Sequence, residues 1–487
     1  MTYLSFSPMA IAGMGYMGEN MESAQQIAAS LSQWMKGQSA QSPINWPRHG
    51  AVEMIFEVPL LLVQRSLSGE SAYLTDRIVS LQPVLMTAAI STIVLKWSRR
   101  LTGNLKQAIV IAFAASFATM LWPYAYIGLE TTQSLFLLLA GYLALNYEKS
   151  VSWPRTLALA LSAGVAASAK SNGLFLLPAL GFLAGAYLWR DWQDYQSIFG
   201  VLKKEWAKAS CLASIILVFY LVGSYSRASY WKRHGSLMDY VSRHVLIESP
   251  ITFLMNLWSQ FFSLNKGLIF FAPMAVVGLL VIRQTFRNEP QLAYFSLLIL
   301  GGATCSLSLL FPWQDEVWGP RYLHSAVAPL VLCLAAALRQ IHWSRIRKTM
   351  LFAAVVFGLM VSFLGSVFYY GLLYNAANTT GTSTLGHLLN DPRFNHTRFN
   401  LRLLRCRLSS TTEQWPDPEY WWFAKPPDAP PERNVNLCDY SRPQPLIFDS
   451  TKSPRLANLL RLSLLAGVFL LAWIGWIGCG IGLKQKE

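Results

Sequence analysis

Charged residues are scarce in this chain of 487 residues. They make up 13% of it, about half of the share of roughly 25% that is usual in soluble domains. Acidic residues are the scarcer sign, with 25 Asp and Glu against 40 Lys and Arg, so the formal net charge is +15. A soluble protein of this size could not cover its surface with so few charges. Disorder is excluded as well, because 53% of the residues are hydrophobic and the mean hydropathy is +0.33.

Motifs for zinc and for nucleic acid are also missing. The six cysteines form no CxxC or Cys/His pattern with metal-ligand spacing. Much of the excess positive charge lies in short loops between apolar runs, where the positive-inside bias explains it, so no nucleic-acid partner is predicted. Cys211, Cys305, Cys333 and Cys479 lie in apolar runs.

Long apolar runs are what the chain has in place of charge. A membrane-spanning helix needs about 20 predominantly apolar residues, and the runs predict an all-α polytopic membrane protein with about twelve spans. The first run is short, and it is either a signal anchor or a first span, complete or not. The runs lie at 3–17, 77–97, 108–127, 131–146, 156–170, 173–189, 207–225, 267–282, 292–312, 322–338, 350–373 and 456–481.

Loop charges predict the orientation of these runs. Every second loop is basic, which places those loops and both chain ends in the cytoplasm. The loop at 226–266 is basic and yet falls outside, which suggests that it has another role. The basic inner loops carry Lys96, Arg99, Arg100 and Lys106, then Lys149 and Arg155, then Arg190, Lys203, Lys204 and Lys208, then Arg283 and Arg287, then Arg339, Arg345, Arg347 and Lys348.

Two outer segments divide the chain into regions. Residues 1–373 form the predicted transmembrane region, whose first outer loop, 18–76, holds an amphipathic helix from Glu22 to Trp34 and an interfacial helix at 53–63. Residues 374–455 form a polar, proline-rich extracytoplasmic segment, and 456–487 form the last span and a cytoplasmic tail.

The outer rim collects ionisable residues, which are costly at the edge of a membrane and therefore predict a functional site. Under the charge-derived topology they share one face of the membrane, where acids and bases would meet in one wet pocket. Each also has a structural reading, as a helix-capping or solvated acid, a base that snorkels to the interface, or a contact to phospholipid. The candidates are Glu19, Arg48, His49, Glu130, Lys170, Lys266, Asp315, Arg321 and Tyr322.

The chemistry that suits this set is glycosyl transfer from a lipid-phosphate sugar. Lys and Arg at the interface would stabilise a polyprenyl-phosphate leaving group, and a carboxylate would take the proton of the attacking acceptor. Glu19 is the candidate base. A divalent metal is compatible with the separated acids, but nothing in the sequence requires one.

Six stretches in order resemble the GT-C superfamily of integral-membrane glycosyltransferases, in the branch of the protein mannosyltransferases and lipid A aminoarabinose transferases. The resemblance covers roughly residues 15–340. The stretches are GENMESAQQIAASLSQWMKG, RHGAVEMIFEVPLLL, YIGLETTQSLFLLLAGY, SAKSNGLFLLP, SLNKGLIFFAP and VWGPRYLHSAVAPL.

The resemblance implies a GT-C helical bundle in a bacterial inner membrane, with its active site on the periplasmic or extracellular side. Glu19 takes the place of the family's catalytic acid and Glu130 that of the second outer-loop acid. The basic positions that would hold the donor phosphate are Lys170, Lys266 and Arg321. The implied partners are a polyprenyl-phosphate sugar, membrane lipid and a glycan, lipid or protein acceptor, with inversion at the anomeric carbon.

Cys406 and Cys438 are predicted to form a disulfide, because they share the outer compartment. Two rival functions stay open at this point. A flippase or secondary transporter of lipid-linked sugars would favour charged residues deep in its spans, where acids are almost absent here. A non-catalytic scaffold would bind a partner through residues 374–455.

Overall fold

The structure is a computed structural model. It describes residues 25–31, 33, 56–63, 81–127, 130–146, 152–170, 172–188, 198–234, 249–309, 318–338, 344–368, 372–373, 376, 394–408, 414–415 and 435–441.

The regular secondary structure of the described residues is helical apart from one pair of two-residue strands, so the all-α prediction is confirmed. The helices in the first half of the numbered series are α1 (Leu81–Thr102), α2 (Leu105–Phe117), α3 (Leu121–Ile127), α4 (Thr131–Leu145), α5 (Trp153–Ser168), α6 (Gly173–Leu188) and α7 (Ile198–His234).

The second half begins with helices separated by only a few residues and ends with the polar segment. Strands β1 (Gln414–Trp415) and β2 (Val435–Asn436) pair antiparallel, and a 3-10 turn (Leu437–Ser441) follows. The helices are α8 (Pro250–Phe262), α9 (Leu268–Phe271), α10 (Pro273–Leu280), α11 (Ile282–Asn288), α12 (Pro290–Leu309), α13 (His324–Ala337), α14 (Arg345–Val367) and α15 (His396–Leu408).

Three described helices are long and apolar enough to cross a membrane: Glu205–Ser229 within α7, α12, and α14. This makes the chain a membrane protein. Four more apolar helices, α2, α4, α6 and the Arg321–Ala337 stretch, are shorter than 18 residues. The predicted first run, 3–17, and last run, 456–481, lie outside the described residues.

Several apolar runs differ from the helices that they form. The run at 108–127 forms two helices, because residues 118–120 between α2 and α3 are not helical. The run at 267–282 is divided at Ala272, where Pro273 begins a new helix since its nitrogen carries no hydrogen to continue the old one. The basic residues at the start of the predicted outer loop 226–266 lie within α7, which continues to His234.

The two predicted helices of the first outer loop fall partly in the described residues. Residues 25–31 and 56–63 are helical. The ring of Phe56 lies 5.2 Å from that of Phe136 on α4, so the second segment packs against the bundle.

Helix α13 forms the centre of the bundle. All fourteen of its residues are buried, and it packs against α1, α4, α10 and α12. Its apolar side chains pack on every side, which is why its sequence is apolar without a helical stripe.

The ends of the helices separate into two faces. On one face Arg100 donates to the carbonyl of Leu145 at the end of α4, and Arg155 donates to that of Leu143. On the other face the start of α4 meets the start of α1, where Thr132 Oγ1 lies 3.2 Å from Met86 Sδ. The first face carries the basic loops and the second is called the site face below.

The polar segment docks on the site face. Cys406 on α15 and Cys438 are joined by a disulfide, in the pairing expected from the sequence. Asn400 of α15 donates to the carbonyl of Leu364 near the end of α14, and Asn395 donates to that of Leu264. The α15–Leu437 unit is therefore held by the membrane region as well as by its disulfide.

Candidate active site

Glu130 is the acidic residue of the site, and its backbone has an unusual conformation. It follows α3 and precedes α4 with φ 64° and ψ −11°, and it is the one described residue other than glycine with positive φ. Such a left-handed backbone costs about 1 to 3 kcal/mol and is retained where the surrounding structure requires it. The carboxylate makes no capping hydrogen bond to the described part of α4, and the residue is 2% exposed. The Glu130 carboxylate therefore neither caps α4 nor lies in solvent as a loop acid.

Lys170 reaches Glu130 from the turn after α5. Its Nζ lies 3.4 Å from Glu130 Oε1. The turn is so tight that a Cβ on residue 173 would lie 1.9 Å from the carbonyl oxygen of Ala167, so only glycine fits there. Lys170 is 6% exposed, so it does not snorkel to the interface.

Arg321 belongs to a third stretch of the chain. It lies in a 3-10 turn before α13, after Gly319, whose φ is +60°. Its Nε lies 3.9 Å from Glu130 Oε1. Its guanidinium lies 4.4 Å from the ring centroid of Tyr322 and donates a hydrogen bond to Tyr322 Oη. The partly buried Tyr322 thus fixes the orientation of the cation.

The three side chains form an electrostatic cluster with a net charge of +1. Both cations approach the same carboxylate oxygen, Oε1, at 3.4 and 3.9 Å. These distances exceed the roughly 2.7–2.9 Å of a direct charge-assisted hydrogen bond. The carboxylate oxygens accept no hydrogen bond from the described residues. These three side chains together carry one more positive than negative charge, and Lys170 and Glu130 are not joined by a direct hydrogen bond.

A layer of neutral polar side chains lies directly beneath the cluster, and sequence reasoning missed it. Gln133 Nε2 donates to Asn172 Oδ1 at 3.0 Å and to the carbonyl of Ala166 at 3.2 Å. Ser134 Oγ lies 2.6 Å from His324 Nδ1. The sequence did contain a signal for two of these residues. Ser134 follows Glu130, and His324 follows Arg321, by about one helical turn, which places each on the same side of its helix as the charged residue.

Lys266 lies in the turn between α8 and α9. It is fully buried just before α9, so it is not a surface contact to phospholipid. Phe271 of α9 packs edge-on against Trp318 at 5.4 Å, and Trp318 precedes Arg321 by three residues.

Trp318 also connects the site face to the docked polar segment. Its ring lies 5.8 Å from that of His396 at the start of α15. Gly365 of α14 lies so close that a Cβ there would be 2.4 Å from Trp318 Cε2.

The remaining predicted site residues, Glu19, Arg48, His49 and Asp315, lie outside the described residues. Within the described part of the chain, no group of three or more His, Cys, Asp or Glu side chains is arranged to hold a metal ion.

Comparison with family models, with curated proteins and with solved structures gives no match to this chain. The functional assignment therefore depends on the residues of the site face.

Proposed function

We propose that the protein is a membrane glycosyltransferase that moves one sugar from a polyprenyl-phosphate donor to an acceptor on the non-cytoplasmic side of the membrane. The observation that carries the proposal is the buried cluster in which Glu130, Lys170 and Arg321 meet from three distant stretches of the chain.

The charge of the cluster suits a phosphate leaving group. When the bond between the anomeric carbon and the phosphate oxygen breaks, negative charge develops on the lipid phosphate. Lys170 and Arg321 are already desolvated and directed to one point, so they stabilise that charge without reorganisation. The 3.4 Å separation of Lys170 Nζ from Glu130 Oε1 leaves the ammonium able to take a phosphate oxygen as its closer partner.

The two acids have different roles in this scheme. Glu130 orients the two cations before the donor binds. Glu19 takes the proton of the attacking acceptor hydroxyl or amine, as expected for the acid of the first outer loop.

Two features at opposite ends of the helices support the assignment of the site to the non-cytoplasmic side. The disulfide-linked α15–Leu437 unit docks on the site face, and disulfides persist in oxidising compartments. The basic helix ends lie on the other face, which suits the cytoplasm. Both features support a periplasmic or extracellular site in a GT-C-type bundle of about twelve spans.

The proposal is tested with purified protein and radiolabelled polyprenyl-phosphate sugars, by following transfer of label to cell-envelope acceptors. Lys170→Met should lower kcat about 100-fold or more, which is the usual effect of removing one group that stabilises transition-state charge. The matched control is Lys208→Met, because Lys208 also pairs with a buried acid, Glu205 at 2.6 Å, but lies in the first part of α7. The control should transfer at the wild-type rate.

Two results would contradict the proposal. The first is a folded Lys170→Met variant that transfers sugar as fast as the wild type. The second is movement of intact donor across sealed vesicles with no bond cleavage, which is the behaviour of a flippase or secondary transporter.

A further inference from the structure

We infer that Ser134 and His324 are positioning residues, which set the separation of Glu130 and Arg321. Their hydrogen bond is the shortest link between α4 and α13 on the site face among those that the described residues make: Ser134 Oγ lies 2.6 Å from His324 Nδ1. Both side chains are buried, at 4% and 1% exposed. The inference rests on the proposed function for its activity measurements.

The two residues are tied by the backbone to the two charges. The backbone N–H of Ser134 donates to the carbonyl of Glu130 at 3.0 Å. The backbone N–H of His324 donates to the carbonyl of Arg321. The four residues thus form a closed network. The Glu130–Arg321 ion pair and the Ser134–His324 hydrogen bond link α4 to α13, and one helical turn separates these two links on each side.

The hydrogen bond is the stiffer of the two cross-links. Glu130 and Arg321 are 3.9 Å apart, at the limit of an ion-pair contact, where the energy changes little with small displacements. A buried hydrogen bond is short and directional, and breaking it leaves a buried polar group unsatisfied. The distance between Glu130 and Arg321 therefore follows the Ser134–His324 contact.

The imidazole is itself held from a second direction. The ring of Tyr124 lies 4.9 Å from that of His324, and Tyr124 Oη donates to the carbonyl of Trp318 at 2.7 Å. Trp318 lies three residues before Arg321. Tyr124 of α3 therefore contacts both the imidazole of His324 and the backbone that leads to the cation. His324 Nε2 has no hydrogen-bond partner among the described residues, which leaves Nδ1 as the atom that makes the link.

This assignment of atoms gives a matched pair of variants. The side-chain amide of asparagine extends as far as the Nδ1 position of histidine, whereas that of glutamine extends to the Nε2 position. His324→Asn should keep the contact to Ser134 and rescue function, and His324→Gln should not. Ser134→Ala removes the contact from the other partner.

The experiment measures kcat and donor KM per folded molecule in the radiolabel assay. Ser134→Ala and His324→Gln should lower kcat about tenfold or more, because displacement of a charge by about 1 Å can reduce turnover up to 100-fold. His324→Asn should turn over like the wild type, with the wild-type donor KM. Equal rates for the Asn and Gln variants, or a loss of folded protein with normal kcat, would overturn the inference.

A second measurement separates this inference from the proposed function. If the wild type transfers no sugar, the proposed function fails and the positioning pair is judged by melting temperature alone. Ser134→Ala and Glu130→Gln should then shift the melting temperature non-additively, since coupled neighbours do so. Additive shifts would overturn the positioning role.

Discussion

Glu130 is the residue on which the site face depends. It combines a left-handed backbone, a buried carboxylate and two cationic partners. Strain of this kind persists only where the surrounding structure determines the backbone, and at Glu130 it accompanies a buried carboxylate that two cations approach.

The strain can be measured with two substitutions that both remove the carboxylate. Glu130→Gly and Glu130→Ala leave the same two cations without their acid, but only glycine adopts positive φ without a steric cost. The Gly variant should be more stable than the Ala variant by about 1 kcal/mol, measured by thermal unfolding in detergent. Neither variant should transfer sugar at the wild-type rate. Equal stabilities of the two variants would show that residue 130 does not hold the left-handed conformation.

Sequence reasoning found the charged members of the site but not their support. Glu130, Lys170 and Arg321 could be chosen because ionisable groups at a membrane edge are costly and therefore few. Ser134, Gln133 and Asn172 are neutral residues that occur commonly in helices and turns, so nothing in one sequence separates them from ordinary packing. Their role depends on which helices become neighbours.

At the scale of the elements, helix α15 is a described part of the polar segment that contacts the site face. His396 contacts Trp318, and Asn400 binds the end of α14. The unit is small, with a core formed around Phe394, Phe399 and Leu437. Such a unit needs its cross-link, since its described residues bury few apolar side chains.

Removing the cross-link should therefore loosen this unit. The double variant Cys406→Ser/Cys438→Ser should lose about 3 to 4 kcal/mol of local stability, given the separation of 32 residues between the cysteines. Limited proteolysis with and without reductant measures this, because reductant should sensitise the wild type and leave the double variant unchanged. Cys305→Ser is the control, since Cys305 is a free, exposed thiol on α12. A wild type that resists protease equally in reductant would contradict the prediction.

Helix existence was easier to predict than helix limits. Apolar composition marks the α12 and α14 runs well, because each is one uninterrupted helix. The α2–α3 break and the division at Ala272 are invisible to hydropathy, since the residues on both sides are equally apolar. In a membrane protein such breaks are tolerated where neighbouring groups satisfy the freed backbone, as Thr119 Oγ1 does for the N–H of Leu121.

At the scale of the whole molecule, the helix ends divide into a basic face and a site face. The alternation of loop charges predicted this division, and Arg100, Arg155 and the start of α14 lie at the basic end. The number of spans is less easily read from composition, because α4 at 15 residues is about 22 Å long against a hydrocarbon core of about 30 Å.

The division into two faces predicts which positions an impermeant thiol reagent can reach. In a variant whose four cysteines other than Cys406 and Cys438 are replaced by alanine, Leu401→Cys on α15 should be labelled in intact cells. Lys106→Cys at the start of α2 should be labelled only after the membrane is permeabilised. Both positions are exposed, so accessibility alone does not distinguish them. Labelling of both in intact cells would contradict the two-sided arrangement.

The contact between Trp318 and Gly365 has a consequence for the history of this sequence. The indole occupies the volume that any side chain at 365 would need. Evolution can therefore enlarge position 365 only in lineages that first shrink the ring at 318, so in diverged descendants of this chain the two positions should covary.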